Sequence, residues 1–65
     1  MHEFIVKRNE KGLLNIKAAT FSDMQFSKFD VPEENLEKEM ENIRTLIRIC
    51  FDTNAYKTQV NFRFI

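Results

Sequence analysis

Residues 30–54, DVPEENLEKEMENIRTLIRICFDTN, decide the fold because they carry the clearest helical pattern in the chain. Apolar side chains recur there every three or four residues, which puts them along one side of an α-helix. This apolar stripe consists of Leu36, Met40, Ile43, Ile47 and Cys50, with Leu46 and Phe51 beside it. A helix with one apolar stripe must bury that stripe against another element, so the rest of the chain is expected to supply a second layer.

The ends of this helix carry recognisable signals. Asp30 followed by Glu33 is a variant of the capping box, which predicts the helix start. Acidic residues near the start and Arg44 and Arg48 nearer the end match the helix dipole. Asn54 is suited to a left-handed stop after the last turn.

An antiparallel hairpin is predicted before the helix. Residues 2–9 and 13–20 both alternate between apolar and polar side chains, which is the period of a strand. Gly12 lies in the short loop between them, at the position that most needs a positive φ. The side chains predicted to face the helix are Phe4, Val6, Leu14, Ile16 and Ala18.

The segment between hairpin and helix, FSDMQFSKFDV at residues 21–31, is less regular. A turn at Ser22–Asp23 is followed by a brief alternation over residues 24–27, which then breaks. We expect a short third strand with a bulge or bend near Ser27–Lys28. The alternative is an irregular loop anchored by three phenylalanines.

A final strand is predicted in TNAYKTQVNFRFI, residues 53–65, where apolar and polar residues alternate to the last position. A strand this apolar must pair within its own sheet, with a second copy, or with another molecule. The face predicted to join the core carries Tyr56, Thr58, Val60, Phe62 and Phe64, and the opposite face carries Lys57, Gln59, Asn61 and Arg63.

The element order is therefore β-β-(β)-α-β in a single small domain, residues 1–65. The expected fold class is α+β in two layers, with an antiparallel sheet of three or four strands packed against one amphipathic helix. A domain of this size buries only about 60% of its unfolded-chain surface. One cysteine excludes an intramolecular disulfide, and His2 with Cys50 are too few ligands for a zinc site. Association with a second copy or a partner is the remaining source of stability.

Composition predicts a cytoplasmic protein with no membrane association. The opening residues MHEFIVKRNEKG are charged where a signal peptide would be apolar, and no apolar run approaches the length of a membrane span. A lone cysteine fits a reducing compartment. The abundance of Lys, Asn, Ile, Glu and Phe is typical of an AT-rich bacterial or phage gene.

No set of residues predicts catalysis, cofactor binding or a metal site. His2 is interpreted as a solvated end of the chain, and Cys50 as a buried small hydrophobe. Glu37 and Glu41 lie one turn apart, but they fit a solvated helix face with ion pairs to nearby arginines. We therefore predict a non-enzymatic protein.

The favoured function is protein–protein interaction. Several apolar residues remain outside the predicted core, and on so short a chain they could merge into a binding patch. We predict a homodimer, or a small regulatory protein that docks on a larger macromolecule. The residues predicted to bind the partner are Ile5, Leu13, Phe21, Phe29, Ile49 and Ile65. A sheet edge that accepts a further strand would serve the same purpose.

The alternative function is binding of single-stranded nucleic acid on the outer face of the sheet. Phe21 could stack on bases there. Against this, the formal net charge is zero, and the last strand turns its phenylalanines towards the core. Residues 30–41 carry a net charge of −5, so a helix that imitates phosphates is a further minor alternative. The cations of the predicted nucleic-acid face are Lys7, Lys17, Lys57 and Arg63.

Overall fold

The computed structural model describes residues 2–51 and 59–65. Within these ranges the strands are β1 (His2–Arg8), β2 (Leu14–Ala18), β3 (Lys28–Val31) and β4 (Val60–Phe64), and the α-helix is α1 (Leu36–Phe51). Two short 3₁₀ helices span Phe21–Phe26 and Glu33–Asn35. The predicted α+β class, with four strands and one covering helix, is confirmed.

The strands form one sheet in the order β3-β2-β1-β4. β2 pairs antiparallel with both β1 and β3, but β4 pairs parallel with β1. The sheet is therefore mixed, whereas the sequence predicted an antiparallel one. The connection explains the difference, because α1 carries the chain back across the sheet after β3. β4 then runs in the same direction as β3, which is also the direction of β1.

The predicted hairpin of β1 and β2 is confirmed, both in its strand pairing and in which side chains face the helix. Phe4 lies opposite Ala18, and Val6 lies opposite Ile16. Every side chain that the hairpin was predicted to turn towards the helix is buried. Strict alternation in two adjacent segments was therefore enough to identify this part of the core.

The turn of the hairpin depends on Gly12 and on the side chain of Asn9. Gly12 has a φ of 79°, in the left-handed region that glycine adopts without steric cost. Its N–H donates to the Asn9 carbonyl at 3.0 Å. Oδ1 of Asn9 accepts hydrogen bonds from the backbone N–H groups of Lys11 (2.9 Å) and Leu13 (3.1 Å).

A third strand exists, but it lies later in the chain than predicted. Most of residues 24–27 belong to the 3₁₀ helix Phe21–Phe26 instead. Asp23 favours this helix, because its carboxylate accepts a hydrogen bond from the Thr20 hydroxyl and its N–H donates to the Thr20 carbonyl. The predicted irregularity falls within β3, where the register against β2 shifts at a bulge.

The predicted start of the helix is wrong. Asp30 belongs to β3 and has a φ of 57°, so it caps no helix. Its carboxylate accepts hydrogen bonds from the Asn9 amide (2.8 Å) and the Lys11 ammonium (3.3 Å). α1 begins at Leu36, directly after the 3₁₀ turn Glu33–Asn35. Contacts with the distant hairpin turn thus outweigh the local capping signal.

The core lies between α1 and the adjoining face of the sheet. The buried members of the apolar stripe are Met40, Ile43 and Ile47, and Leu36 is half-buried. Cys50 was predicted to be buried and is exposed. The last turn of α1 packs through Phe51 instead, whose ring centroid lies 5.0 Å from that of His2 and 6.0 Å from that of Phe26. Because successive residues of a helix point in different directions, this packing leaves Cys50 at the surface.

β4 is an edge strand that the helix covers only in part. Val60 and Phe62 are half-buried against the core, and the Phe62 ring stacks on Phe4 at 5.5 Å. Phe64 was predicted to join the core but is 58% exposed. It faces the helix side, since it is in register with buried Val6, but it extends past the cover that α1 provides. The predictions for Asn54, Tyr56, Lys57 and Thr58 lie outside the described residues.

Candidate functional site

The acidic and thiol groups considered for catalysis lie on open surface. Glu37 and Glu41 are exposed on α1, and Glu41 accepts a hydrogen bond from Arg44 at 3.0 Å, an i,i+3 ion pair of the kind predicted. Cys50 is a free, exposed thiol. Within residues 2–51 and 59–65, no three histidine, cysteine, aspartate or glutamate side chains are grouped so as to hold a metal ion.

His2 and Asp23 form a polar contact between β1 and the first 3₁₀ helix. The prediction of a solvated His2 is wrong, because its Nδ1 lies 2.8 Å from Oδ2 of Asp23. Asp23 is 1% exposed, and its Oδ2 also accepts from the Thr20 hydroxyl at 3.0 Å. Its Oδ1 has no hydrogen-bond partner in the described part of the chain. We interpret the contact as a structural tie between two segments far apart in sequence.

The six apolar residues predicted to bind a partner are distributed over different elements of the fold. Ile5 and Leu13 are half-buried, whereas Phe21, Phe29, Ile49 and Ile65 are exposed. Ile5 and Phe29 line the same groove. Phe21 lies in the first 3₁₀ helix, Ile49 on α1, and Ile65 directly after β4. Two candidate binding surfaces are an edge of the sheet and this groove.

The first surface is the β4 edge, which we define as the side of Val60–Phe64 that pairs with no other strand among the described residues. The Ile65 N–H donates to the Val6 carbonyl at 3.0 Å, and the His2 N–H donates to the Gln59 carbonyl at 2.9 Å. Odd-numbered residues in this segment therefore direct their backbone groups at β1. Because consecutive residues alternate, the even-numbered residues of β4 direct their N–H and C=O groups away from the sheet. Such an edge can accept a further strand.

On the helix side of the β4 edge, Phe62 is packed against other side chains and Phe64 is exposed. The Phe62 ring lies between Phe4 and the Arg44 guanidinium, whose carbon is 5.0 Å from the ring centroid. This distance is within the range of a cation–π contact. Phe64, two residues later, keeps more than half of its surface in solvent. The helix side of the edge thus ends in an uncovered aromatic side chain.

The opposite side of β4 belongs to the outer face, the face of the sheet turned away from α1. Nδ2 of Asn61 donates to Oε2 of Glu3 at 3.4 Å. Arg63 is in register with Ile5 and forms no ion pair among the described residues. The Glu3 carboxylate, on β1, is therefore next to Asn61 of β4, and the Arg63 guanidinium lies two residues further along β4.

The second surface is the outer groove, a depression of about 490 Å³ on the outer face. Lys7 and Lys17 are exposed, and neither has an ion-pair partner in the described part of the chain. Phe29 is 58% exposed. The groove thus combines an exposed aromatic ring with two cations that form no ion pair among the described residues. Its lining residues are Ile5, Lys7, Asn15, Lys17, Ala18, Ala19 and Phe29.

Three of the four cations predicted to share the outer face do so. Lys17 and Arg63 are both in register with Ile5, from opposite sides of β1, and Lys7 lies two residues along the same strand. Lys57 lies outside the described residues. Phe21, predicted to stack on bases, is in the first 3₁₀ helix and does not line the groove.

Phe29 was predicted to lie outside the core and to bind a partner, but its place beside the cations of the outer face was not predicted. Lys28 and Val31 pair with Ile16 and Leu14, whose side chains face the core. The bulge between them reverses the facing of the strand, so Phe29 points to the outer face although Val31 is buried. A simple alternation would have put both side chains on one face.

Charge is divided between the two layers of the molecule. The outer-face positions of β1, β2 and β4 carry Lys7, Lys17 and Arg63 against one acid, Glu3. β3 adds Asp30, which follows Phe29 and donates its N–H to Oδ1 of Asn15. The helix layer carries the acidic block. Its exposed or half-buried members on α1 and the preceding 3₁₀ turn are Glu33, Glu34, Glu37, Glu39 and Glu41. A net charge of zero therefore conceals a basic outer face opposite an acidic layer.

Within residues 2–51 and 59–65, no helix is both long enough and apolar enough to cross a membrane. Comparison of the chain with protein-family models, curated proteins and solved structures found no match.

Proposed function

We propose that this protein is a non-catalytic cytoplasmic regulator that acts by protein–protein contact, as a homodimer joined through the β4 edges of two copies. The observation that carries the proposal is the exposure of Phe64 on the helix side of an edge strand. A large aromatic side chain in this position stays in water in the single chain, and a second copy would cover it. The small size of the domain and its single cysteine add to the advantage of association.

Backbone hydrogen bonding supports strand addition at this edge. The N–H and C=O groups of Val60, Phe62 and Phe64 point away from β1. A second β4 that runs antiparallel to the first would pair with all of them. In a two-fold arrangement each copy offers the same edge to the other, so the assembly closes at two subunits instead of growing into a fibre.

One register is favoured because it avoids like-charge contacts and pairs the most residues of the two strands. A register centred on Phe62 brings Val60 opposite Phe64 of the other copy, and it pairs all five residues of the strand. A register centred on Arg63 would bring two guanidinium groups together, which is unfavourable. One centred on Asn61 would leave Phe64 beyond the end of the opposing strand. The Phe62-centred register is therefore the one we propose.

The same register also brings opposite charges together on the outer face. Arg63 would lie opposite Asn61 of the other copy, whose amide is hydrogen-bonded to Glu3. The guanidinium would then be within reach of that Glu3 carboxylate, and opposite charges across paired strands are favourable. Two-fold symmetry repeats the contact at both ends of the ladder.

Size-exclusion chromatography with light scattering tests the proposal. At micromolar protein concentration we expect twice the chain mass of 7.8 kDa. Phe64→Asp should dissociate the dimer, because it brings a charge into the apolar contact with Val60 of the other copy. Phe21→Asp is the matched control, since Phe21 is 93% exposed in the first 3₁₀ helix and should leave the mass unchanged.

A single-chain mass at every concentration, together with a cooperative thermal melt, would contradict the dimer. Equal dissociation by Phe64→Asp and Phe21→Asp would show that general apolar exposure drives association, and would contradict the assignment to the β4 edge. Circular dichroism of both variants establishes that α1 is still folded.

A further inference from the structure

We propose that the outer groove binds single-stranded nucleic acid, with a base on Phe29 and phosphates at Lys7 and Lys17. This activity goes beyond the homodimer proposed above, and it uses no residue of the β4 edge. The volume of about 490 Å³ falls within the range of about 300–1,000 Å³ typical of sites for small organic groups. A nucleotide unit is a group of that size.

The two lysines give the groove its charge. Lys17 lies opposite Ile5, and Lys7 lies opposite Asn15, so the two lysines line the same depression from neighbouring strands. Neither lysine has an ion-pair partner among the described residues. Flexible ammonium groups neutralise phosphates as point charges, whatever the base sequence.

Phe29 supplies a surface on which a base can stack. More than half of its side chain is exposed, and Ile5 adds apolar surface to the same groove. Unpaired bases are commonly held on aromatic rings at exposed sheet faces, because every base has a π-face. A duplex keeps its bases stacked on one another, so this feature selects single strands.

The separation of charge allows a neutral chain to bind a polyanion. The acidic residues at positions 33–41 lie in the helix layer, on the other side of the sheet from the groove. Packed layers are about 10 Å apart, and the Debye length at physiological salt is about 8 Å. These helix-layer acids are therefore largely screened from a ligand on the outer face. Asp30, which follows Phe29 in β3, forms an ion pair with Lys11 at 3.3 Å.

Fluorescence anisotropy with labelled oligo-dT and oligo-rU of about 12 nucleotides tests the proposal. For the full chain at physiological salt we expect a dissociation constant of about 10⁻⁶ to 10⁻⁵ M. Two phosphate contacts predict a slope of about −1.4 in log K against log salt, since each contributes about −0.7. Lys7→Gln or Lys17→Gln should remove about half of that slope. Phe29→Ala should weaken binding roughly 5- to 150-fold without changing the slope.

Matched controls come from the rest of the molecule. Lys38 is exposed on α1 and Phe21 in the first 3₁₀ helix, so Lys38→Gln and Phe21→Ala should bind like the unchanged protein. Thermal melts and light scattering of each variant establish that fold and association are unchanged. Failure of this proposal is then distinguishable from failure of the dimer.

Three outcomes would overturn the proposal. The first is no salt-dependent binding, even at low ionic strength. The second is equal affinity for duplex and single-stranded DNA, or equal weakening by Lys38→Gln and Lys7→Gln. The third is that a polyglutamate peptide binds as tightly as the oligonucleotide and is equally weakened by Phe29→Ala, which would assign the groove to acidic proteins.

Discussion

Phe64 is in register with Val6 on the neighbouring strand, yet Val6 is 1% exposed and Phe64 is 58% exposed. Both side chains face α1, because residues paired across a ladder share a face of the sheet. Their difference comes from position, since β1 has a strand on each side and β4 has one open edge. The same alternation that builds the core thus continues into the surface proposed for self-association.

Phe62 and Phe64 lie on the same strand, but replacing them should affect folding to different degrees. Phe62→Ala should lower the free energy of unfolding by about 2 kcal/mol, less than the 3–5 kcal/mol of a fully buried phenylalanine, because Phe62 is half-buried. Phe64→Ala should cost less than about 1 kcal/mol in the single chain but should weaken dimerisation. Urea unfolding at protein concentrations below the dimer dissociation constant measures the first effect, and sedimentation measures the second. A larger folding cost for Phe64→Ala than for Phe62→Ala would contradict the burial of Phe62 and the exposure of Phe64.

A charge swap tests the proposed contact between Glu3 and Arg63 of the other copy. Glu3→Lys or Arg63→Glu alone should weaken dimerisation about tenfold, because each creates a like-charge pair at both ends of the ladder. The double variant should recover most of this loss, since it restores opposite charges in reversed order. Sedimentation at low salt is the measurement. A double variant weaker than either single variant would contradict the contact.

The contact between His2 and Asp23 joins residues that are far apart in sequence, and it should stabilise the fold. His2→Ala removes a hydrogen-bonding partner from a buried carboxylate, and we expect a loss of about 1–3 kcal/mol. A double-mutant cycle with Asp23→Ala should give a coupling free energy of about 1 kcal/mol from chemical denaturation. Strictly additive costs would show that the two side chains are energetically independent.

The hairpin turn should tolerate asparagine better than alanine at position 12. An added Cβ at Gly12 meets no atom within 4 Å, so any cost arises from its φ of 79°. Gly12→Ala should lose about 1–2 kcal/mol, and Gly12→Asn should lose less, because asparagine adopts the left-handed region more readily. Thermal melts of the two variants provide the comparison, and equal stability of all three proteins would contradict the left-handed turn.

Local patterns predicted the hairpin and the buried centre of α1, since both depend on side-chain period alone. Phe4 and Ile16 alternate with polar neighbours, and Ile43 and Ile47 repeat at helical spacing, so their burial follows from the sequence. Gly12 was identified for the same reason, because its conformation is decided within one turn.

Features that depend on distant contacts were not predicted. Asp30 resembles a helix cap, but it is held in β3 by the hairpin turn, whose residues lie far away in sequence. His2 appears solvated until the first 3₁₀ helix brings Asp23 to it. Phe29 reaches the outer face through a bulge that only the pairing with β2 defines. The β4 edge and the outer groove depend on such contacts, which is why their outlines did not follow from the sequence alone.

Disulfide formation between two β4 strands tests the central claim, the Phe62-centred dimer, most directly. In that register Asn61 lies opposite Arg63 of the other copy, in a pair without backbone hydrogen bonds and with Cα atoms about 4.5 Å apart. This distance is within the range for a disulfide. Two chains, one Asn61→Cys and one Arg63→Cys with a size tag, are mixed in a Cys50→Ser background and oxidised under mild conditions.

We predict that the covalent heterodimer of the two chains forms fast and in high yield, while either chain alone cross-links slowly. Fast homodimers of Arg63→Cys would indicate a register centred on Arg63, and fast homodimers of Asn61→Cys one centred on Asn61. A heterodimer yield no greater than that of Phe21→Cys, whose exposed thiol lies away from β4, would contradict dimerisation through the β4 edge.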